Sequence, residues 1–159
     1  MVVLQIRRAV AADADILARL RVALQREVGV VNDDLPAEQL VNAYRTYFAA
    51  RIPTSEFVAW VADADGQIVA TSGLVLGHRP PSPNNLTGVD AYVMNMFTEP
   101  DWRGRGVGRA LLDELVGHVA GTHVGRVWLH ASEPGRSLYE KAGFAPVASS
   151  ESEMELLLG

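Results

Sequence analysis

The pattern of apolar residues along the 159-residue chain predicts a mixed α+β sandwich, in which helices cover a central sheet. Three observations lead to this fold class. Two-residue alternation marks strands near the start, the middle and the end of the chain. Apolar residues three and four apart mark helices between them, and a tight-turn sequence joins two of the strands. The predicted order is β-α-α-β-β-β-α-β-α-β in one domain, residues 1–159, without a linker or internal repeat.

The first half of the chain predicts a strand, two helices and a hairpin. Asp13 is a helix-capping residue type, and apolar side chains follow it at helical spacing. Asp34 and Pro36 predict the start of a second helix, because proline is favoured in the first helical turn. The acidic residues and glycine of 63–66 predict the turn of the hairpin. The predicted elements are a strand at 3–7, helices beginning after Asp13 and Pro36, and strands at 57–62 and 68–76.

The second half predicts a loop followed by alternating strands and helices. Prolines and asparagines are concentrated within residues 78–88, where no packing pattern is visible, and these residue types favour turns. Glu99-Pro100 ends the strand that follows, and Gly143-Phe144 ends the last helix. The predicted elements are a strand at 91–98, a long helix at 106–122, a buried strand at 126–131, a short helix at 137–142 and a last strand at 153–158.

Charge and composition exclude several classes of function. The formal charge of −5 provides no broad positive field, so nucleic acid is not expected as a partner. The chain has no cysteine, which excludes disulfides, thiolate metal sites and a cysteine nucleophile. Its four histidines lack metal-ligand spacing, so no metal is expected. Without a signal sequence or an apolar run long enough to cross a bilayer, the predicted location is cytoplasmic, with no membrane partner.

The most informative segment is the glycine- and arginine-rich stretch at residues 103–108, which joins a predicted strand to the long helix. Its three alternate glycines leave main-chain N–H groups open to close approach by a ligand. The helix that begins there adds unpaired N–H groups and a positive dipole end, both of which favour an anion. Arg103, Arg105 and Arg109 add guanidinium groups that suit phosphate. Physical reasoning alone therefore predicts a diphosphate at this turn.

Two common phosphate-binding motifs do not fit this stretch. A P-loop ends in Gly-Lys-Ser/Thr, whereas this chain continues as Gly108-Arg109-Ala110. A dinucleotide fingerprint has the spacing Gly-x-Gly-x-x-Gly, and from Gly104 the third glycine comes one residue early. The stretch is therefore neither of these motifs.

The segment Arg103-x-x-Gly106-x-Gly108 resembles the Arg/Gln-x-x-Gly-x-Gly signature of the GNAT (Gcn5-related N-acetyltransferase) family. In that family the signature cradles the pyrophosphate of coenzyme A. The preceding residues 95–102 look like the family's strand leading into the loop, and residues 135–144 resemble its Leu-Tyr-x-x-x-Gly-Phe element. The two motifs lie about 30 residues apart in the family's order, and the order of the predicted elements also matches.

The resemblance implies a GNAT-type fold with a central mixed, mostly antiparallel sheet flanked by helices. Two parallel strands, here 91–98 and 126–131, would splay apart to hold acetyl-CoA. The implied reaction moves an acetyl group from acetyl-CoA to a primary amine by direct attack in a ternary complex. The residues implied for coenzyme binding are Met96, Phe97, Thr98, Arg103, Gly104, Arg105, Gly106, Val107, Gly108 and Arg109.

The resemblance also implies roles in the chemical step. Met96 and Thr98 would pair with the pantetheine arm through their main chains, and a backbone N–H near Phe97 would stabilise the oxyanion. Tyr139 corresponds to the family's general acid, which protonates the departing thiolate. Acyltransferases of this type often use a glutamate as the general base, at the position occupied here by Tyr92. Asp90, on the same predicted strand face, could substitute for it.

Several alternatives stay open. A reaction without a dedicated base is as compatible with the sequence as one using Asp90, while Asn95, Glu133 and His130 are weaker candidates for holding water or the amine. The missing glutamate also allows a second function on the same fold, a catalytically weak acyl-CoA-binding sensor. The acceptor could be a small molecule or a protein amine, and a homodimer is compatible with the sequence.

Overall fold

The computed structural model describes residues 1–32, 36–149 and 151–159. From the first strand to the short fourth helix, its strands and helices follow the order that the sequence predicts. The elements are β1 Leu4–Arg8, α1 Ala14–Glu27, α2 Ala37–Arg51, β2 Phe57–Ala64, β3 Gln67–His78, β4 Val89–Thr98, α3 Val107–Val119, β5 Arg126–Trp128 and α4 Arg136–Lys141, with single 3-10 turns at Ala11–Asp13 and Pro100–Trp102.

The five strands form one mixed sheet in the order β1-β2-β3-β4-β5. The first four pair antiparallel, and β4 and β5 pair parallel. The parallel ladder ends at Tyr92 opposite Trp128, whereas β4 continues to Thr98. Beyond Tyr92 the two strands therefore separate, which confirms both the predicted fold class and the splayed parallel pair.

Helices cover both faces of this sheet. Successive strand residues point to opposite faces, and both faces carry apolar side chains that the helices bury. On β2, Val58 and Trp60 pack in the cluster that contains α3, while Phe57 and Ala59 pack in the cluster that contains α1 and α2. The predicted hairpin between β2 and β3 is confirmed, and its turn residues Asp65 and Gly66 have φ of 52° and 92°. Two consecutive positive φ angles are typical of the turn that matches strand twist.

Asp13 occupies the position just before α1, but its side chain does not cap that helix. Its carboxylate instead accepts hydrogen bonds from the Val10 N–H at 2.8 Å and from both terminal nitrogens of Arg7 at 2.9 and 3.0 Å. The hydrogen bonds from Arg7 lower the pKa of Asp13 below its usual value. The residue therefore ties β1 to the start of α1.

The structure corrects three predictions. Residues 153–158 form no strand, and Met154 and Leu156 are exposed, since alternation by itself does not supply a pairing edge. The strand predicted at 126–131 ends at Trp128, and the helix predicted to reach 122 ends at Val119. The start signal at Asp34 lies outside the described residues.

Candidate active site

The glycine-rich stretch surrounds a cavity of about 440 Å³ at the beginning of α3. Gly106 lies just before the helix in the left-handed region, at φ 79°, and Gly104 has φ 73°. The first intrahelical bond runs from the Ala110 N–H to the Gly106 carbonyl, so the N–H groups of residues 107–109 precede it. The cavity is lined by Thr98, Trp102, Arg103, Gly104, Gly106, Val107, Gly108, Arg109, Leu138 and Lys141.

The three arginines of this region have different surroundings. Arg103 forms a bidentate ion pair with Glu27 at 2.7 and 3.0 Å, and its Nε donates to the Thr98 carbonyl at 2.8 Å. Arg109 pairs with Asp113 at 2.8 Å. Arg105 lies 5.1 Å above the Trp102 ring, does not line the cavity, and has no carboxylate partner in the part of the chain that the structure describes. Two of the three charges assigned to phosphate are thus already ion-paired.

A second cavity, of about 480 Å³, lies where β4 separates from β5. Thr98 and Arg103 border both this cavity and the first one, so the two adjoin. Met96 and Phe97, which the resemblance assigns to coenzyme binding, both line it. Its wall consists of Leu24, Glu27, Val28, Met96, Phe97, Thr98, Arg103, Ser132, Glu133, Pro134 and Gly135.

A β-bulge reshapes β4 directly before this cavity. Met94 pairs with Gly73 and Phe97 with Thr71, so Asn95 and Met96 together oppose a single residue of β3. Asn95 has φ 56°, the left-handed conformation that asparagine tolerates better than most residues. It is only 2% exposed, and its Oδ1 accepts a hydrogen bond from Arg21. The bulge re-aims the main chain at the point where the resemblance predicts the oxyanion donor.

Tyr139 lies on α4 with its ring packed against that of Phe144, and the residue is 9% exposed. Burial, and to a lesser extent Tyr92, raises the pKa of this phenol above its usual value. The Tyr139 hydroxyl has no hydrogen-bond partner within the described residues. It borders a third cavity of about 660 Å³, which shares Glu133 with the second cavity. The ring of Tyr139 is therefore held by packing, while its hydroxyl is not engaged by any described residue.

Asp90 lies at the opposite end of β4 from Phe97, seven residues away, a distance of roughly 20 Å along a strand. It is 4% exposed, accepts a hydrogen bond from the Trp128 indole at 3.2 Å and pairs with Arg79 at 3.4 Å. It lines none of the three cavities. This placement argues against Asp90 as the base, because a base must reach the amine.

Sequence reasoning missed a polar group beside the bulge. Arg21 contacts Asn95 and lies 4.9 Å from the Tyr44 ring, and the Tyr44 hydroxyl donates to Gln25 at 2.7 Å. A signal was present in the sequence, because Arg21 falls within the apolar stripe of the first helix, three residues before Leu24. The pairing of Glu27 with Arg103 was not visible, since 76 residues separate them.

The bulged β4, its separation from β5 and the glycine-rich start of α3 together define an acetyltransferase fold. The chain belongs to the GNAT family, since residues 55–146 match the family model described as acetyltransferase (GNAT) domain. A mycothiol acetyltransferase from Beutenbergia cavernae is 36% identical over 89 residues, which are 54% of this chain and 27% of that protein. The chain thus spans about a quarter of the length of that relative.

Solved structures support the same assignment over nearly the whole chain. A predicted acetyltransferase from Clostridium acetobutylicum, crystallised with acetyl-CoA, is 29% identical, with a TM-score of 0.80 and coverage of 98% of this chain and 97% of that one. A GCN5-related N-acetyltransferase from Ralstonia eutropha is 26% identical, with a TM-score of 0.84 and coverage of 96% and 99%.

Residues 1–32, 36–149 and 151–159 contain no group of three or more histidine, cysteine, aspartate or glutamate side chains arranged to hold a metal ion. Among those residues, no helix combines the length and the apolar character that crossing a membrane requires.

Proposed function

We propose that residues 1–159 form one acetyltransferase domain, which moves the acetyl group of acetyl-CoA to a primary amine by direct attack in a ternary complex. The observation that carries the proposal is the pair of adjoining cavities, one at the glycine-rich start of α3 and one at the separation of β4 from β5. A diphosphate and a thioester at the two ends of one ligand require such an arrangement.

The chain's residues fit coenzyme A at both cavities. Unpaired N–H groups of residues 107–109, beside the left-handed Gly104 and Gly106, suit the diphosphate. The edge of β4 after Tyr92 offers the main-chain groups of Met96 and the N–H of Thr98 for the pantetheine amides, while the Thr98 carbonyl accepts from Arg103. The thioester then lies near the bulge, within the second cavity.

In the proposed reaction, the amine nitrogen forms a bond to the acetyl carbon and the carbon–sulfur bond breaks. The nitrogen loses one proton and the departing thiolate gains one. A main-chain N–H near Phe97 stabilises the oxyanion, and removal of such a donor in other enzymes costs about 2.7–4 kcal/mol. Tyr139 supplies that proton to the departing sulfur as the general acid, and because burial raises the pKa of its phenol, the hydroxyl is protonated and able to donate at neutral pH.

Proton removal from the amine proceeds without Asp90 in this proposal. Glu133 is exposed and borders both the second cavity, which Phe97 lines, and the third, which Tyr139 lines. It can hold a water molecule or orient the amine there. An amine of pKa about 10.4 is mostly protonated at neutral pH, so the rate should rise with pH as the free amine becomes available.

One observation favours a second function, an acyl-CoA-binding sensor with weak catalysis. Tyr92, at the position of the family's usual glutamate, has its hydroxyl 3.1 Å from His130 Nδ1 and its ring 4.5 Å from that of Trp128. Among the described residues, no carboxylate on β4 lines any of the three cavities. The carboxylates that do line them come from other segments: Glu27, which is paired with Arg103, and Glu133, Glu140 and Glu153.

Free-thiol release with a broad panel of amines tests the proposal. Tyr139→Phe should lower kcat about 100-fold and leave coenzyme affinity within about threefold, because the hydroxyl matters mainly when charge develops on sulfur. Tyr47→Phe, on the exposed side of α2, is the matched control and should retain full activity. A protein that binds acetyl-CoA but acetylates no amine would favour the sensor, and an unchanged Tyr139→Phe rate would contradict the assigned role.

A further inference from the structure

Arg21 is a half-buried cation whose described partners are uncharged. Its guanidinium donates to the Asn95 Oδ1 and lies 4.9 Å from the centre of the Tyr44 ring. The Tyr44 hydroxyl in turn donates to Gln25 Oε1 at 2.7 Å, which fixes the ring between the two helices. No carboxylate lies within ion-pair distance of Arg21 in the described part of the chain.

Elsewhere on the helical face of the fold, arginines near the core are matched to carboxylates. Arg7 pairs with Asp13 and Asp63, and Arg45 pairs with Asp15. The residues one turn from Arg21 on its own helix, at 17, 18, 24 and 25, are all uncharged. A cation that is partly withdrawn from water without an anion lowers stability. A bound ligand with a negatively charged group would supply the anion that Arg21 lacks within the described residues.

The location of Arg21 relates it to the acceptor amine. Asn95, its hydrogen-bond partner, forms the β4 bulge, and the next two residues line the second cavity. Leu24 and Glu27 lie further along α1 and line that cavity as well. Residues three apart on a helix are surface neighbours, about 5–6 Å between their Cβ atoms. Arg21 itself lines none of the three cavities, but it is partly exposed and lies one helical turn from Leu24, beside the wall of the second cavity.

Building on the function proposed above, we propose that Arg21 binds a carboxylate carried by the acceptor, and that the acceptor is a small amino-acid-like amine. A planar guanidinium matches a carboxylate in geometry. A single cation with uncharged neighbours neutralises one negative charge, which favours a carboxylate over a phosphate dianion. A protein N-terminus or a lysine side chain within a protein carries no carboxylate beside its amine, so the inference narrows the acceptor class.

The test compares α-amino acids with their primary amides, which keep the amine and side chain but lose the negative charge. The wild type, Arg21→Gln, Arg21→Lys and Arg26→Gln would each be assayed by thiol release at saturating acetyl-CoA. Arg26 is exposed on the same helix and is the matched control. The amide's amine has a lower pKa, but this difference cancels because each variant is compared with the wild type on the same substrate.

We expect the wild type to prefer acids, and Arg21→Gln to lower kcat/KM about 10- to 100-fold for acids, mainly through KM, and less than threefold for amides. Arg21→Lys should recover part of the loss, and Arg26→Gln should behave as the wild type. Parallel losses on acids and amides would show that Arg21 only positions Asn95 and would overturn the inference. A wild type that acetylates amides as well as acids would overturn it too.

A binding measurement separates this inference from the proposed reaction. Calorimetry with the coenzyme A-loaded protein should show amino-acid binding that amides and Arg21→Gln do not reproduce. If no amine is acetylated but this binding pattern holds, the proposed reaction fails and the carboxylate site stands. If neither turnover nor charge-dependent binding occurs, the carboxylate site is refuted. Thermal unfolding of Arg21→Gln within a few degrees of the wild type confirms that the variant is folded.

Discussion

Gly106 provides the most direct test of the proposed coenzyme site. A Cβ at this position would have no heavy atom within 4 Å, so a methyl group does not clash with the protein. Its φ of 79° is left-handed, however, and an alanine there costs roughly 1–2 kcal/mol. For a chain of this size, that cost lowers Tm by about 2–8 °C. Gly106→Ala should therefore remain folded with a modest loss of stability.

The same methyl group should obstruct the diphosphate. A phosphate oxygen must approach the neighbouring N–H groups to about 2.9 Å, and the Cβ projects from the residue that borders their cavity. Losing one charge-assisted hydrogen bond, about 1.5–3 kcal/mol, corresponds to an affinity loss of about 10- to 150-fold. The unliganded protein tolerates the substitution because the methyl group meets only open space.

Gly121 supplies the matched control, because it has φ 75°, open space around its Cβ, and a position at the far end of α3 outside the three cavities. Differential scanning fluorimetry with coenzyme A measures both effects. Ligand at about 100 times the wild-type Kd adds about 2.7 kcal/mol, and a tenfold weaker Kd reduces this to about 1.4 kcal/mol. Gly106→Ala should thus lose about half of the ligand-induced shift, and Gly121→Ala none. Equal shifts in both variants would refute the coenzyme site.

Three further outcomes follow from the described contacts. Asp13→Asn should lower the free energy of unfolding by about 1–3 kcal/mol at pH 7 in urea titrations. Because Arg7 depresses the pKa of Asp13, the stability that this residue contributes is present above about pH 4 and is lost as pH falls through the lowered pKa, so the deficit should shrink with increasing acidity below about pH 4. Since burial raises the pKa of Tyr139, kcat should show no alkaline decline before pH 10 in a pH–rate profile. Glu27→Gln frees Arg103 from an exposed pair worth about 0.2–1 kcal/mol and should tighten coenzyme A binding by no more than about fivefold in calorimetry.

Local patterns account for most of the fold. The β2–β3 hairpin and the amphipathic α3 follow from alternation, helical spacing and turn residues over short windows, and both are confirmed. The prediction of a last strand at 153–158 was wrong for a physical reason. A strand exists only when it pairs with a neighbour, and β5, the last strand of the sheet, is only three residues long. Pairing is a property of two segments, which neither segment's pattern can guarantee.

The candidate site also has parts that local sequence patterns predict and parts that they do not. The glycine-rich turn at 103–108 and the cavity beside it were predictable because its glycines and the helix that follows are contiguous in the chain. Asp90 was a reasonable base from strand alternation, yet the structure buries it against Trp128 and Arg79. Arg21 and Asn95 meet across 74 residues of sequence, a contact that no local pattern encodes.

By itself, the sequence determined the family resemblance, the α+β order and the glycine-rich turn at which a diphosphate is predicted, because each depends on residues within about one helix or strand of one another. Only the tertiary structure decided which charges are free and which are neutralised. It paired Arg103 with Glu27, withdrew Asp90 from the cavities, and left Arg21 beside the bulge without a described carboxylate. The reason is that electrostatic partners are set by distance in space, which chain separation does not reveal.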